Sequence, residues 1–235
     1  LAHELREMRY EVFVQRFFVY QRTLPGGTKG DSVYSWNVIG FLQGENTDSS
    51  AVMFSAHADH DGVHGSVVFP GADDNASGVA ATLGIAKAFS SLRNSGIALR
   101  RSIVVCFFGA EETPRMEGSH YFVRSDYMRR LVPVVLINFD MVGRGGRDTL
   151  SVLGARHNSA FERESPPLFR LVGDMNTERL VIVNTDSTAP DGIINKFTGS
   201  FGRTDSWNFY LRDISVLFFF TGIHADYHLP TDTAE

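Results

Sequence analysis

Four short stretches of this chain, residues 51–56, 102–108, 132–139 and 214–220, are apolar almost from end to end. A strand buried on one face alternates apolar and polar residues, whereas a strand buried on both faces reads as a continuous apolar run. Strands of the second kind need helices on both sides of a largely parallel sheet, so the chain is read as α/β. The segments between them carry helical spacing. Val79, Leu83, Ala86 and Phe89 form one stripe of a helix expected over 76–92, with Asp74 or Asn75 as its cap.

The remaining segments fill in around this centre. A helix end is expected at 1–9. A strand at 10–20 and its return at 33–42 are joined through the breakers Pro25-Gly26-Gly27 and Lys29-Gly30-Asp31, which makes an antiparallel edge. Further helices are expected at 119–129, 167–176 and 206–212, and further strands at 149–153 and 180–184. Loops are expected at 60–70, 192–202 and 221–232.

Composition excludes several classes. A chain of 235 residues without a linker suits one domain, and its net charge of -5 shows no basic stripe for nucleic acid. Cys106 is the single cysteine and lies inside an apolar run, so it is expected to be a buried, inert thiol rather than a disulfide partner or nucleophile. No run is long enough to span a membrane. The first residues already read as helix interior, so the protein is expected to start upstream. Nothing in the composition sets an oligomeric state.

Sites in such folds form at the carboxyl ends of strands. Here those ends carry His57 and Asp59, then Glu111 and Glu112, then Asp140, and finally His224 and His228. The cap of the 76–92 helix adds Asp73 and Asp74. Mixed histidine and carboxylate ligands suit zinc. So many convergent carboxylates would repel one another unless cations were present, and there are enough of them for two ions about 3.5–4 Å apart.

The ordered set His57-x-Asp59, Gly71-Ala-Asp-Asp-Asn-Ala-Ser-Gly78, Glu111-Glu112, Asn138-Phe-Asp-Met-Val-Gly143 and Tyr227-His-x-Pro-x-Asp-Thr233 resembles the M28 family of co-catalytic zinc aminopeptidases. The resemblance implies a three-layer sandwich around a mixed, largely parallel sheet of about eight strands. It implies one peptidase domain over 1–235, trimmed at both ends, two zinc ions, and peptide substrates with a free N-terminus. It also implies a secreted or periplasmic location.

By position in these motifs, His57 and Asp140 bind one zinc, Glu112 and His228 bind the other, and Asp74 bridges them. Glu111 is the general base, and Asp59 orients His57. Asp73 is expected to be structural, His60 and His64 to line or cover the loop, and His224 to stand outside the ligand set. Arg144 is expected in an ion pair. Carboxypeptidase or dipeptidase use of the same metals would need a cation for the substrate carboxylate, with Arg144 or Arg203 as candidates. A glutaminyl-cyclase-like enzyme and an inactive binding module are the more distant alternatives. The chain departs from the family pattern in the run Thr113-Pro-Arg-Met-Glu-Gly-Ser119, and in Thr204-Asp205-Ser206 where Ser-Asp-His is usual.

Overall fold

The continuous apolar runs become the middle of one sheet. A computed structural model describes residues 1–19, 33–144, 149–153, 168–176, 181–184 and 203–234. The strands are β1 (Glu11–Val19), β2 (Val33–Leu42), β3 (Ser50–His57), β4 (Gly62–His64), β5 (Val67–Phe69), β6 (Ser102–Phe108), β7 (Val132–Phe139), β8 (Thr149–Leu153), β9 (Val181–Asn184) and β10 (Val216–Phe220). The helices are α1 (Ala2–Glu7), α2 (Gly78–Asn94), α3 (Glu117–Phe122), α4 (Asp126–Arg129), α5 (Leu168–Asp174) and α6 (Asp205–Tyr210).

Eight strands form the main sheet in the order β1-β2-β6-β3-β7-β10-β8-β9. Its centre, β6-β3-β7-β10, is parallel throughout. The β1–β2 hairpin extends one side antiparallel to β6, as its breaker-joined alternation predicted. On the other side β8 runs antiparallel to β10, and β9 runs parallel to β8.

Side chains of β6 are buried on both faces. Val104, Cys106 and Phe108 pack with Phe122, Met128 and Phe209 from α3, α4 and α6. Ile103, Val105 and Phe107 pack with Leu5 of α1 and with Leu83, Ala86 and Phe89 of α2. Helices therefore cover both faces, which is the expected three-layer arrangement. At roughly 25 cal/mol per Å² of apolar surface removed from water, these two cores are the main source of stability. Cys106 is fully buried in the first of them.

Two local expectations need correction. The helix expected over 119–129 is broken into α3 and α4, because Ser125 leaves helical geometry and caps α4 with its hydroxyl, accepting from the Met128 N–H at 3.2 Å. The loop expected over 60–70 contains the small hairpin β4–β5, turned at Gly65 with φ +64. The loop expected over 192–202 lies outside the described residues.

The parallel centre has a functional consequence. Strands β3, β6, β7 and β10 all end on the same edge, so the residues that follow them arrive together.

Candidate metal centre

His57 is the last residue of β3, and Asp140 follows the last residue of β7. His57 is 2% exposed and Asp140 9% exposed. His57 Nε2 lies 3.2 Å from Asp140 Oδ1 and 3.2 Å from Asp74 Oδ1. The other ring nitrogen, Nδ1, faces Asp59, but mainly its backbone: the carbonyl oxygen is at 3.1 Å and the carboxylate at 3.7 Å. The Asp59 carboxylate is directed elsewhere. It accepts the backbone N–H of Glu111 at 3.0 Å and of Glu112 at 3.2 Å. The expected orienting contact to His57 is thus made by the Asp59 main chain, and the side chain instead holds the segment that carries both glutamates.

Asp74 has a different neighbour on each oxygen. While Oδ1 faces His57, Oδ2 lies 3.2 Å from His228 Nε2, which is also 3.3 Å from Glu112 Oε2. His228 Nε2 is buried yet makes no hydrogen bond with either carboxylate. Two atoms bonded to one tetrahedral zinc at about 2.0–2.1 Å stand roughly 3.3 Å apart. A buried nitrogen at that spacing from two carboxylate oxygens, but not aligned to hydrogen-bond them, fits a shared cation better than it fits a network without one. His57, Asp74 and Asp140 also present ligand atoms within 4.8 Å of one another, as do His60, Asp74 and Glu112.

The turn that carries Asp74 is held from three directions. Asp232 is fully buried, and its carboxylate accepts the backbone N–H groups of Asp73 and Asp74 at 3.1 Å. Asn75 Oδ1 accepts from Gly78 at 2.9 Å and from Met141 at 3.2 Å, and Nδ2 donates to the Phe139 carbonyl at 3.0 Å. Asn75, rather than Asp74, therefore caps α2, and Asp74 remains available to the centre. Asp73 turns away and accepts the Gly143 N–H on Oδ1 at 2.6 Å, while its Oδ2 lies 3.2 Å from His224 Nε2. Both residues stand outside the histidine–carboxylate contacts of the centre, in line with their sequence reading. Arg144 is in an ion pair as expected, bound to Asp226, to Asp232 at 3.2 Å and to the Thr233 carbonyl at 3.2 Å.

Charge crowding shifts the acids. Burial, and then the Asp74 charge, push Glu112 up to about 8. Burial is also the main cause that raises Glu111, with Asp140 and Asp205 adding to it against the opposing pull of His57. Burial by itself would lower His57, but Asp140 and Glu111 outweigh it and hold the ring well above its ordinary value. Burial raises Asp205 to about 7, against the opposing pull of His57 and Ser119. Divalent cations would stabilise the ionised acids and reverse this logic.

The unusual run after Glu112 has a defined path. Ala110 takes a left-handed φ of 57°, and its carbonyl accepts from Thr113 Oγ1 at 2.8 Å and Glu117 N at 2.9 Å, closing the turn. Asn37 then ties Gly118 O to Gly109 N, at 2.9 Å and 3.2 Å. These bonds hold the turn behind Glu111, which is 7% exposed with Oε1 buried and unpartnered.

Sequence reasoning did not assign His60, Asp61, Asp205 or Asp232 to the centre. A signal existed for the first two, since His57-Ala-Asp-His-Asp61 is unusually dense in such groups. Asp232 and Asp205 lay inside motifs already singled out, but their burial and partners come only from the fold.

The sheet flanked by helices is the fold of zinc exopeptidases. A Zn-dependent exopeptidase from Parabacteroides distasonis superposes with TM-score 0.67 at 21% identity, covering 100% of this chain and 80% of the other. A zinc aminopeptidase from Bacillus subtilis superposes with TM-score 0.61 at 23% identity, covering 86% and 46%. Within that fold the chain belongs to peptidase family M28, whose family model matches residues 37–235. Among curated proteins, a probable glutamate carboxypeptidase from Arthroderma benhamiae is 26% identical over 159 residues, 68% of this chain. The chain spans 21% of that relative's length and less than half of the Bacillus subtilis protein. Among the described residues no helix is long and apolar enough to cross a membrane.

Proposed function

We propose that this chain is the catalytic domain of a two-zinc aminopeptidase that releases residues from the N-terminus of peptides. The observation that carries the reading is the shared carboxylate of Asp74, with His57 on one oxygen and His228 on the other. His57, Asp74 and Asp140 would hold one ion, and Asp74, Glu112 and His228 the other. Zinc at these positions would supply Lewis acidity, lowering the pKa of a water to about 7 and polarising the scissile carbonyl.

The chain's own residues do the rest. Glu111 is buried beside both positions with an unpartnered oxygen, so it takes a proton from the attacking water and delivers it to the nitrogen of the departing amine. Asp59 fixes the backbone of Glu111 and Glu112, which sets where that oxygen points. Asp232 and Asn75 hold the Asp74 turn rigid.

Charge balance favours an amine end over a carboxylate end. Asp59, Asp61, Asp74, Glu111, Glu112 and Asp140 together carry more negative charge than two zinc ions neutralise, so a substrate ammonium is attracted and a substrate carboxylate repelled. Arg144, one of the two candidates for the cation that a carboxypeptidase reading needs, is bound to Asp226 and Asp232. The carboxypeptidase relative keeps that second reading in play. Export to the periplasm or medium belongs to the same proposal on family grounds, and fractionation of cells making the full-length protein tests it.

Amino-acid p-nitroanilides, together with N-blocked and C-blocked peptides, separate the readings. Hydrolysis should require a free N-terminus and tolerate a blocked C-terminus. Cleavage of N-blocked peptides from the carboxyl end would replace the aminopeptidase reading with the carboxypeptidase one.

A further inference from the structure

The loop that leaves β3 does more than deliver His57, because two of its next side chains reach the opposite end of the centre. His60 Nδ1 lies 3.1 Å from Glu112 Oε1. The His60 side chain is 8% exposed and its ring meets that of His228 edge-on, with centroids 5.3 Å apart. Gly71 makes room for this ring, since a Cβ there would stand 2.6 Å from His60 Cγ. Asp61 Oδ2 lies 3.2 Å from His228 Nδ1.

Glu112 and His228, two of the three groups assigned to the second ion, therefore each have one side occupied and one side presented. Glu112 is held at Oε1 by His60, which leaves Oε2 facing His228. His228 has the Asp61 carboxylate 3.2 Å from Nδ1, at ion-pair distance, and Nε2 faces Asp74 and Glu112. A carboxylate beside Nδ1 favours the proton on that nitrogen, which leaves the Nε2 lone pair free for a metal. His60 Nε2 is buried without a partner, which fits a ring whose hydrogen sits on Nδ1 and goes to Glu112.

Such support is needed at this position. Glu112 lies in the turn after β6, and His228 lies in the closing loop with a left-handed φ of 54°. Neither ligand sits on a regular element, and loop-borne ligands keep a productive geometry only when neighbours lock them.

We propose that His60 and Asp61 are positioning residues for the second metal position, so that the segment 57–61 both ligates the first ion and shapes the site of the second. The inference rests on the two-ion reading above. Dialysis against graded free zinc, read by elemental analysis, should give two binding steps for the unaltered chain. Asp61→Ala and His60→Ala should each weaken one step by about 10–100-fold and leave the other in place. Asp61→Glu, which keeps a carboxylate, should recover part of the loss. With cobalt in place of zinc, the visible spectrum of only one of the two equivalents should change.

Thermal melting of the metal-free variants separates positioning from folding. Unchanged zinc steps in both alanine variants overturn the proposal. So does loss of both steps together with a lowered melting temperature in the metal-free state, which would mark a folding role. A single zinc in the unaltered chain overturns the two-ion reading instead, and the inference falls with it.

Discussion

Asp232 holds Asp74 by its main chain: the buried Asp232 carboxylate accepts the Asp74 N–H at 3.1 Å, and that of Asp73 as well. The two residues are 158 positions apart in sequence. The same carboxylate is paired with Arg144. Replacing it by Asp232→Ala leaves two backbone donors without their acceptor and removes one of the three partners of Arg144. Leaving buried donors unsatisfied costs about 1–3 kcal/mol each. Urea unfolding of the metal-free protein should show a loss of that size, together with weaker zinc binding. A loss below about 1 kcal/mol would mean that the turn holds itself.

Asp59 distinguishes two jobs. Because its backbone carbonyl serves His57 while its carboxylate serves Glu111 and Glu112, Asp59→Asn should lower kcat by about 10–100-fold. Zinc affinity at the His57 position should barely change. Loss of that zinc with little change in kcat would restore the carboxylate as the partner that orients His57.

Glu111→Gln keeps the size and burial of the side chain and removes its ability to take a proton. Metal content should stay at the unaltered level while hydrolysis falls by about 100–10,000-fold. Asp74→Ala should do the reverse at the level of metal content and lose zinc. Full activity in Glu111→Gln would remove the base assignment.

Asp205 should make the metal-free protein sensitive to pH. Burial raises its folded pKa to about 7, above the value of 3.8 for an unperturbed Asp. A group raised in this way contributes its full stability below the unfolded pKa and loses it as pH rises through the folded pKa. Stability contributed at this position should therefore fall between about pH 4 and pH 7. Asp205→Asn removes the charge that burial penalises, so it should raise the melting temperature at pH 8 and matter less at pH 4. An equal shift at both pH values would show that Asp205 is not titrating.

Gly118→Ala tests the turn behind Glu111. A Cβ at Gly118 would stand 2.2 Å from the Gly109 carbonyl oxygen and 2.6 Å from Asn37 Oδ1, and the first of these is backbone that cannot swing away. Overpacking of this kind costs about 1–3 kcal/mol. Chemical denaturation should show that loss, with a fall in kcat as the Glu111 segment shifts. An unaffected protein would mean that the turn is more yielding than its hydrogen bonds imply.

Much of this architecture was legible before any fold was known. The four apolar runs became the four parallel central strands because a side chain buried on either face must be apolar, whatever its neighbours. The helix stripe Val79, Leu83, Ala86 and Phe89 packs where its spacing pointed. The broken helix at Ser125 was less legible, because a hydroxyl that caps a helix and one that merely sits on its surface look alike in sequence.

The residue types and their order in the chain, by themselves, determined the sheet and marked His57, Asp74, Glu111, Glu112, Asp140 and His228 as groups that strand ends and one helix cap could bring together. Only the tertiary structure decided how they are held. Whether the Asp59 carboxylate faces His57 or the Glu111 main chain, whether Asp73 or Asp74 faces His57 and His228, and which residues stand beside Glu112 and His228 all depend on partners up to 159 residues apart. Local sequence governs backbone propensity and burial pattern. It does not encode the direction of a carboxylate, which is set by whichever donors the finished fold places within about 3 Å of it.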